Sequence, residues 1–205
     1  FRSKFLAAAA TYMKKLGEQL APLQITRGGP ILMVQVENEY GSYGSDHVYM
    51  QKILDLDRAA GFDVPFFTAD GGGSMMAGGH LPDALPGLNG GSGPGIFREI
   101  EKYRPHGPFF VPEFYPGWLD HWGEPHAHTG IGGLVRETEW KLTNNVSFCY
   151  YMIYGGTSFG FMNGANYGGR FQPQPTSYDY DSPMDEMGRP TEKYFALRDV
   201  LAKHL

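Results

Sequence analysis

The stretch Gly28-Gly29-Pro30-Ile31-Leu32-Met33-Val34-Gln35-Val36-Glu37-Asn38-Glu39-Tyr40-Gly41 decides how this chain is read. Gly-Gly-Pro breaks the preceding element. The run from Ile31 to Val36 is short, β-branched-rich and only weakly alternating. That is the pattern of a strand buried on both faces, in a parallel sheet covered by helices. Such a strand can end in Glu37-Asn38-Glu39 for one of two reasons. Its C-terminal tip opens onto a polar cavity, because a charged group without a partner is too costly in a dry interior. Alternatively the strand runs out to the surface, where acidic residues are ordinary. Taken alone, the stretch leaves both readings open.

Working outward, residues 2–20 carry Phe5, Ala9, Tyr12, Met13, Leu16 and Leu20 at helical spacing, with Lys14, Lys15 and Glu18 on the other face, and Pro22 closes the helix. A strand at 31–37 follows. A second helix is expected from about Asp46 to Ala60, with Val48, Ile53, Leu54 and Leu56 inward and Gly61 as its stop. Val64 to Ala69 reads as another buried strand. From Asp70 to Gly95 the composition is that of a loop, with one weak strand at 85–89. A short helix from Ile96 to Tyr103 leads to the strand Phe109–Pro112, which also terminates in a carboxylate, Glu113. Leu134–Asn144 reads as helix, and Val146–Tyr154 is the most strand-like segment of all. An aromatic, glycine-rich loop spans 157–180, and Thr191 is expected to cap a last helix running to about Lys203.

Helix and strand in alternation, with polar groups following the strands, is the grammar of an α/β barrel or a doubly wound sheet. Both bind ligands beyond the carboxyl ends of their strands. Polar and aromatic groups follow several successive strands here, which favours the barrel. A full barrel takes about 250 residues, so the chain is short by roughly three strand–helix units.

Composition narrows the partners. The 205 residues can bury a sizeable core, and a net charge of −5 without a basic run argues against nucleic acid and anionic membrane surfaces. No apolar run is long enough to cross a bilayer as a helix. Cys149 is the single cysteine, which excludes an intrachain disulfide, and its apolar strand-like surroundings read as core. The chain opens without Met, almost directly inside a helix, as if cut from something longer.

Glu39 and Glu113 end strands three units apart, positions that face one another across the mouth of a closed eight-stranded barrel. Paired carboxylates over a cleft rich in Tyr and Trp suit glycoside hydrolysis. One carboxyl, kept protonated, serves the leaving oxygen; the other, ionised, attacks the anomeric carbon. The bland alternative is that both are surface or salt-bridged glutamates. Glu37 follows on the same side as Glu39 if the strand is regular, and a structural, hydrogen-bonded role is expected of it.

At this point the sequence resembles a known family. Gly29 to Gly41 is similar to the signature of glycoside hydrolase family 35, the β-galactosidases. Glu113-Phe114-Tyr115-Pro116-Gly117-Trp118-Leu119-Asp120-His121-Trp122-Gly123 resembles its second motif, and Gly155 to Gly160 and Thr176 to Asp181 resemble its later segments. The similarity runs nearly the whole length. It implies an incomplete (β/α)8 TIM-type barrel, residues 1–205 being the C-terminal part of one catalytic domain with about strands four to eight. The first three strand–helix units and any downstream β-domains would then be absent.

The resemblance also implies a retaining exo-β-galactosidase without cofactor or metal, acting on a β-galactoside oligosaccharide or glycoconjugate. Glu39 matches the acid/base, Glu113 the nucleophile, and Asn38 the amide that binds the sugar's 2-hydroxyl. Tyr115, Tyr151 and Tyr180 match tyrosines that line the galactose pocket or orient the nucleophile. Hydrolysis of another β-glycoside, such as a β-glucosaminide, and a non-catalytic sugar-binding fragment are the alternatives. Missing strands would leave open sheet edges, so the isolated chain is expected to be unstable and nearly inactive.

Other features read as bland. His121, His126 and His128 lie on a loop without a second ligand cluster. Asp179, Asp181 and Asp185 fit a calcium loop poorly. The sequon Asn145-Val146-Ser147 opens an expected buried strand and so reads as inaccessible. One of Trp118 and Trp122 is expected to reach a substrate-side rim.

Overall fold

The computed structural model describes residues 2–204. They fall into two compact units, one ending at Pro112 and the other beginning at Glu113.

The first unit alternates helix and strand: α1 (Arg2–Leu20), β1 (Val34–Gln35), α2 (His47–Ala59), β2 (Phe66–Asp70), α3 (Ser74–Gly79), β3 (Leu85–Leu88) and α4 (Gly95–Ile100). The three strands form one parallel sheet in the order β1-β2-β3, with Val34 opposite Phe66 and Asp70 opposite Leu88. Asp46 caps α2 through a 3.0 Å hydrogen bond from the Tyr49 N–H, satisfying a donor that the first turn leaves orphaned. Gly61 stops the chain beyond it at φ +100. Met50, Ile53 and Leu54 on α2 form the core of this unit with Val36, Phe66, Leu81 and Ala84. Val48 is exposed rather than inward, because it lies across the helix from the stripe that Met50, Ile53, Leu54 and Asp57 bury.

The strand expected at 31–37 is shorter. Ile31 makes only a bridge to Gln24, and Leu32 is 61% exposed. Two causes act together. β1 is the outermost strand of its sheet, and Glu37 and Glu39 adopt φ of 57° and 51°, which ends the extended conformation. Asp70 to Gly95 is not merely loop. The strand expected at 85–89 is present as β3, and the segment also holds α3, in which Gly78 and Gly79 lie buried beside Met76.

β4 (Phe109–Phe114) carries Glu113 near its end. The second unit continues through α5 (Ile131–Thr143), β5 (Val146–Tyr150), an antiparallel hairpin of β6 (Ala165–Tyr167) and β7 (Phe171–Pro173), and α6 (Glu192–Leu201). Phe114 stacks on Tyr150 and both meet Phe148 edge-on, and the Lys141 ammonium sits 3.9 Å above the Phe114 ring, in contact with Glu137 at 3.0 Å.

β5 ends at Tyr150, four residues before the expected boundary, and it alternates rather than lying wholly buried. Cys149 is therefore exposed and not a core residue, and Asn145 and Ser147 of the sequon are exposed as well. The loop at 157–180 contains the hairpin, which glycines and three-residue strands conceal in the sequence. Thr191 occupies the N-cap of α6, yet its hydroxyl donates to the Pro183 carbonyl at 2.9 Å instead of capping the helix.

Candidate active site

In the first unit the parallel ladder continues past β1. Val36 N–H donates to Phe67 O and Glu39 N–H to Ala69 O, each at 2.9 Å. On the other side of β2, Asn89 N–H donates to Asp70 O at 2.9 Å. Glu39, Asp70 and Asn89 thus stand side by side at the carboxyl ends of three parallel strands, where α/β folds place their ligands. The Asn89 amide donates to Glu39 Oε1 at 2.9 Å, and the Gly41 N–H donates to Asp70 Oδ1 at 2.9 Å. Burial, with the charge of Glu39 added, pushes the Asp70 carboxyl up to about 6, against the opposing pull of the Gly41 N–H. Asn38 is exposed, and its Oδ1 accepts from Gln35 Nε2 at 2.9 Å.

Glu37 is hydrogen-bonded, as expected, but not beside Glu39. The kinked backbone sends it to Tyr49, whose hydroxyl donates to Glu37 Oε1. Burial and this bond raise the Tyr49 phenol above its ordinary value. Asp57, buried on α2, is pushed up to about 6 by burial and by the Glu37 charge.

In the second unit the Tyr115 hydroxyl donates to Glu113 Oε2 at 2.9 Å. Rings close around this pair. Tyr115 meets Trp118 edge-on at 5.4 Å and Tyr151 at 6.2 Å; Tyr151 meets Tyr180 at 5.8 Å, and Tyr178 stacks on Tyr180 at 5.3 Å. Tyr115, Tyr151 and Tyr180 are therefore brought together with Glu113. Burial first, then the neighbouring phenols and the Glu113 carboxylate, raise Tyr178 and Tyr180, so both stay neutral donors at any ordinary pH. Gly155 and Gly117 permit the approach. A Cβ on Gly155 would lie 1.7 Å from Tyr178 O, and one on Gly117 would lie 1.8 Å from Tyr180 O. Behind the rings, Lys193 is buried and donates to Pro116 O, to Thr129 Oγ1 and to both the carbonyl and carboxylate of Asp181, fixing the segment that presents Tyr180.

Trp118 belongs to the ring cluster. Trp122 is exposed, and its N–H donates to Pro173 O at 2.9 Å on β7. His121 bridges Glu124 and Asn166, and His126 pairs with Asp120. No group of three or more His, Cys, Asp or Glu able to hold a metal occurs among the described residues.

The sequence reading missed Asp70, Asn89, Tyr178 and Lys193. Asp70 could have been found by the rule that named Glu39 and Glu113, since it ends a strand. Asn89 sits in glycine-rich sequence with no comparable signal.

Comparison with known proteins gives a consistent result. The profile described as Glycosyl hydrolases family 35 matches residues 2–204. A β-galactosidase of Xanthomonas manihotis is 46% identical, over 98% of this chain and 34% of that protein. A β-galactosidase of Mus musculus is 42% identical, over 96% of this chain and 31% of its own length, and one of Homo sapiens is 40% identical, over 97% and 30%. The chain thus spans about a third of these relatives. Among solved structures, the Ignisphaera aggregans GH53 catalytic domain aligns with 98% of this chain and 66% of its own at a TM-score of 0.58. At 13% identity that likeness bears on the fold alone. Two strand-end glutamates, the ring cluster and a profile match over almost every residue converge on one conclusion: the chain belongs to glycosyl hydrolase family 35.

Proposed function

We propose that the protein to which this chain belongs is an exo-acting, retaining β-galactosidase, and that residues 1–205 supply about strands four to eight of its (β/α)8 barrel. Glu113 attacks the anomeric carbon of a terminal β-galactosyl residue while Glu39 protonates the departing glycosidic oxygen. A galactosyl ester on Glu113 results. Water then enters, gives its proton to Glu39 and attacks the same carbon, releasing Glu113 as carboxylate and galactose in its original β configuration. Asn38 holds the 2-hydroxyl, and Tyr151 and Tyr180 line the pocket.

The observation that carries this reading is the hydrogen bond from Tyr115 to Glu113. A phenol donating to a strand-end carboxylate favours the ionised form, as a nucleophile requires, and fixes its rotamer. Beyond it, the names of the relatives support the galactoside.

Proton NMR of the first anomer released from an aryl β-galactoside by the intact protein tests the mechanism. Initial β-galactose is expected, and initial α-galactose would overturn retention. Glu113→Gln should fold normally and lose activity on the order of 10⁴-fold. A variant that kept turnover would remove Glu113 from the reaction.

A further inference from the structure

We propose that Asn89 is a positioning residue for Glu39: its amide engages Oε1, so that the proton of the acid form resides on Oε2, toward the departing glycosidic oxygen. The proposal rests on reading Glu39 as the acid/base and adds the group that aims it.

Glu39 lies outside both helix and strand, at φ 51°, so no regular element directs its side chain. Its backbone is pinned at both ends, the N–H to Ala69 O at 2.9 Å and the carbonyl accepting from Ser42 N–H at 3.0 Å. The carboxylate still has several rotamers, and the 2.9 Å bond from Asn89 Nδ2 selects one. Asn89 is itself anchored. It is 8% exposed, and its N–H is tied to Asp70 O on the neighbouring strand. Its other side-chain atom, Oδ1, is buried with no hydrogen-bond partner among the described residues. An unpaired buried acceptor is destabilising, so packing alone would favour an apolar side chain at this place. The bond to Glu39 is what the amide provides in return.

An N–H donated to Oε1 also excludes the acid proton from that oxygen while the bond is kept.

The test compares Asn89→Ala and the equally sized Asn89→Asp with the unaltered intact protein on two substrates. Phenyl β-galactoside needs proton donation, whereas 2,4-dinitrophenyl β-galactoside, with its good leaving group, does not. Both variants are expected to lose roughly 10- to 100-fold in kcat/KM on the phenyl substrate and less than about threefold on the other. Equal losses on both substrates, or no loss at all, would overturn the proposal. If Asn89→Ala does not fold, Asn89→Asp is read in its place. Glu39→Ala serves as the control for the underlying reading. It should lose phenyl-galactoside turnover and regain dinitrophenyl turnover with azide, and its failure to do so would overturn the role of Glu39 whatever the Asn89 variants show.

Discussion

Glu113 and Glu39 are each met by a neutral donor, a phenol in one case and an amide in the other. The two donors differ in how well the sequence announces them. Tyr115 stands two residues from Glu113 within one motif, and the family resemblance named both. Asn89 is 50 residues from Glu39, and only the parallel register of β1, β2 and β3 brings them together. The ring cluster around Glu113 depends in the same way on a residue without a side chain. Because a Cβ on Gly155 would lie 1.7 Å from a backbone carbonyl, Gly155→Ala must displace Tyr178 and, through stacking, Tyr180. A loss of about 2–3 kcal/mol is expected, read as a lower melting temperature with a higher KM for the proposed galactoside substrate. An unchanged melt and KM would show that the carbonyl can yield.

The hairpin β6–β7 owes its place to side chains far from it in sequence. Glu124 accepts from Arg170 at 2.7 Å and Gln172 at 3.0 Å, and faces His121 at 3.1 Å. The Gln172, Arg170 and His121 contacts hold its carboxyl down to about 2. A depressed carboxylate contributes above its ordinary value near 4.5, and that contribution is lost as pH falls toward 2. Glu124→Gln removes the charge on which Gln172, Arg170 and His121 converge. Its expected mark is several-fold faster hydrogen exchange at the Trp122 amide, which bonds Pro173 O. Unchanged protection would mean that backbone pairing alone holds the hairpin. Helices α1, α2, α5 and α6 and strands β2, β4 and β5 were legible because apolar periodicity or long apolar runs survive in them. α3 and the hairpin were not, since glycine reads as a breaker whether or not packing later buries it.

Folding stability as a whole should depend on two buried carboxyls. Asp57 and Asp70 are pushed up to about 6, mainly by burial. A folded-state value above the unfolded one means that the folded protein binds the proton more tightly. The associated stability is fully present below about pH 4 and is lost as pH rises through 6. Asp57 is 2% exposed, and its Oδ2 has no partner among the described residues. Asp57→Asn should therefore raise the melting temperature of the intact protein at pH 8, by about 1 kcal/mol of stability after allowance for screening. The difference from the unaltered protein should shrink as pH falls below 6 and vanish only below about pH 4, where Asp57 is neutral in the folded and unfolded chain alike. A gain that persists at that pH would point to packing rather than charge.

The sequence by itself determined the alternation of helix and strand, the two glutamates at strand ends and the family, because these reside in local periodicity and in long contiguous motifs. Tertiary structure decided the rest. It turned Glu37 toward Tyr49 instead of Glu39, since a positive φ at both residues breaks the strand geometry that would have aligned them. It exposed Cys149 by alternation along β5, and it brought Asp70 and Asn89 to the side of Glu39. Side-chain direction and cross-strand neighbours follow from backbone torsion and register, which neighbouring elements impose and no single stretch of sequence contains.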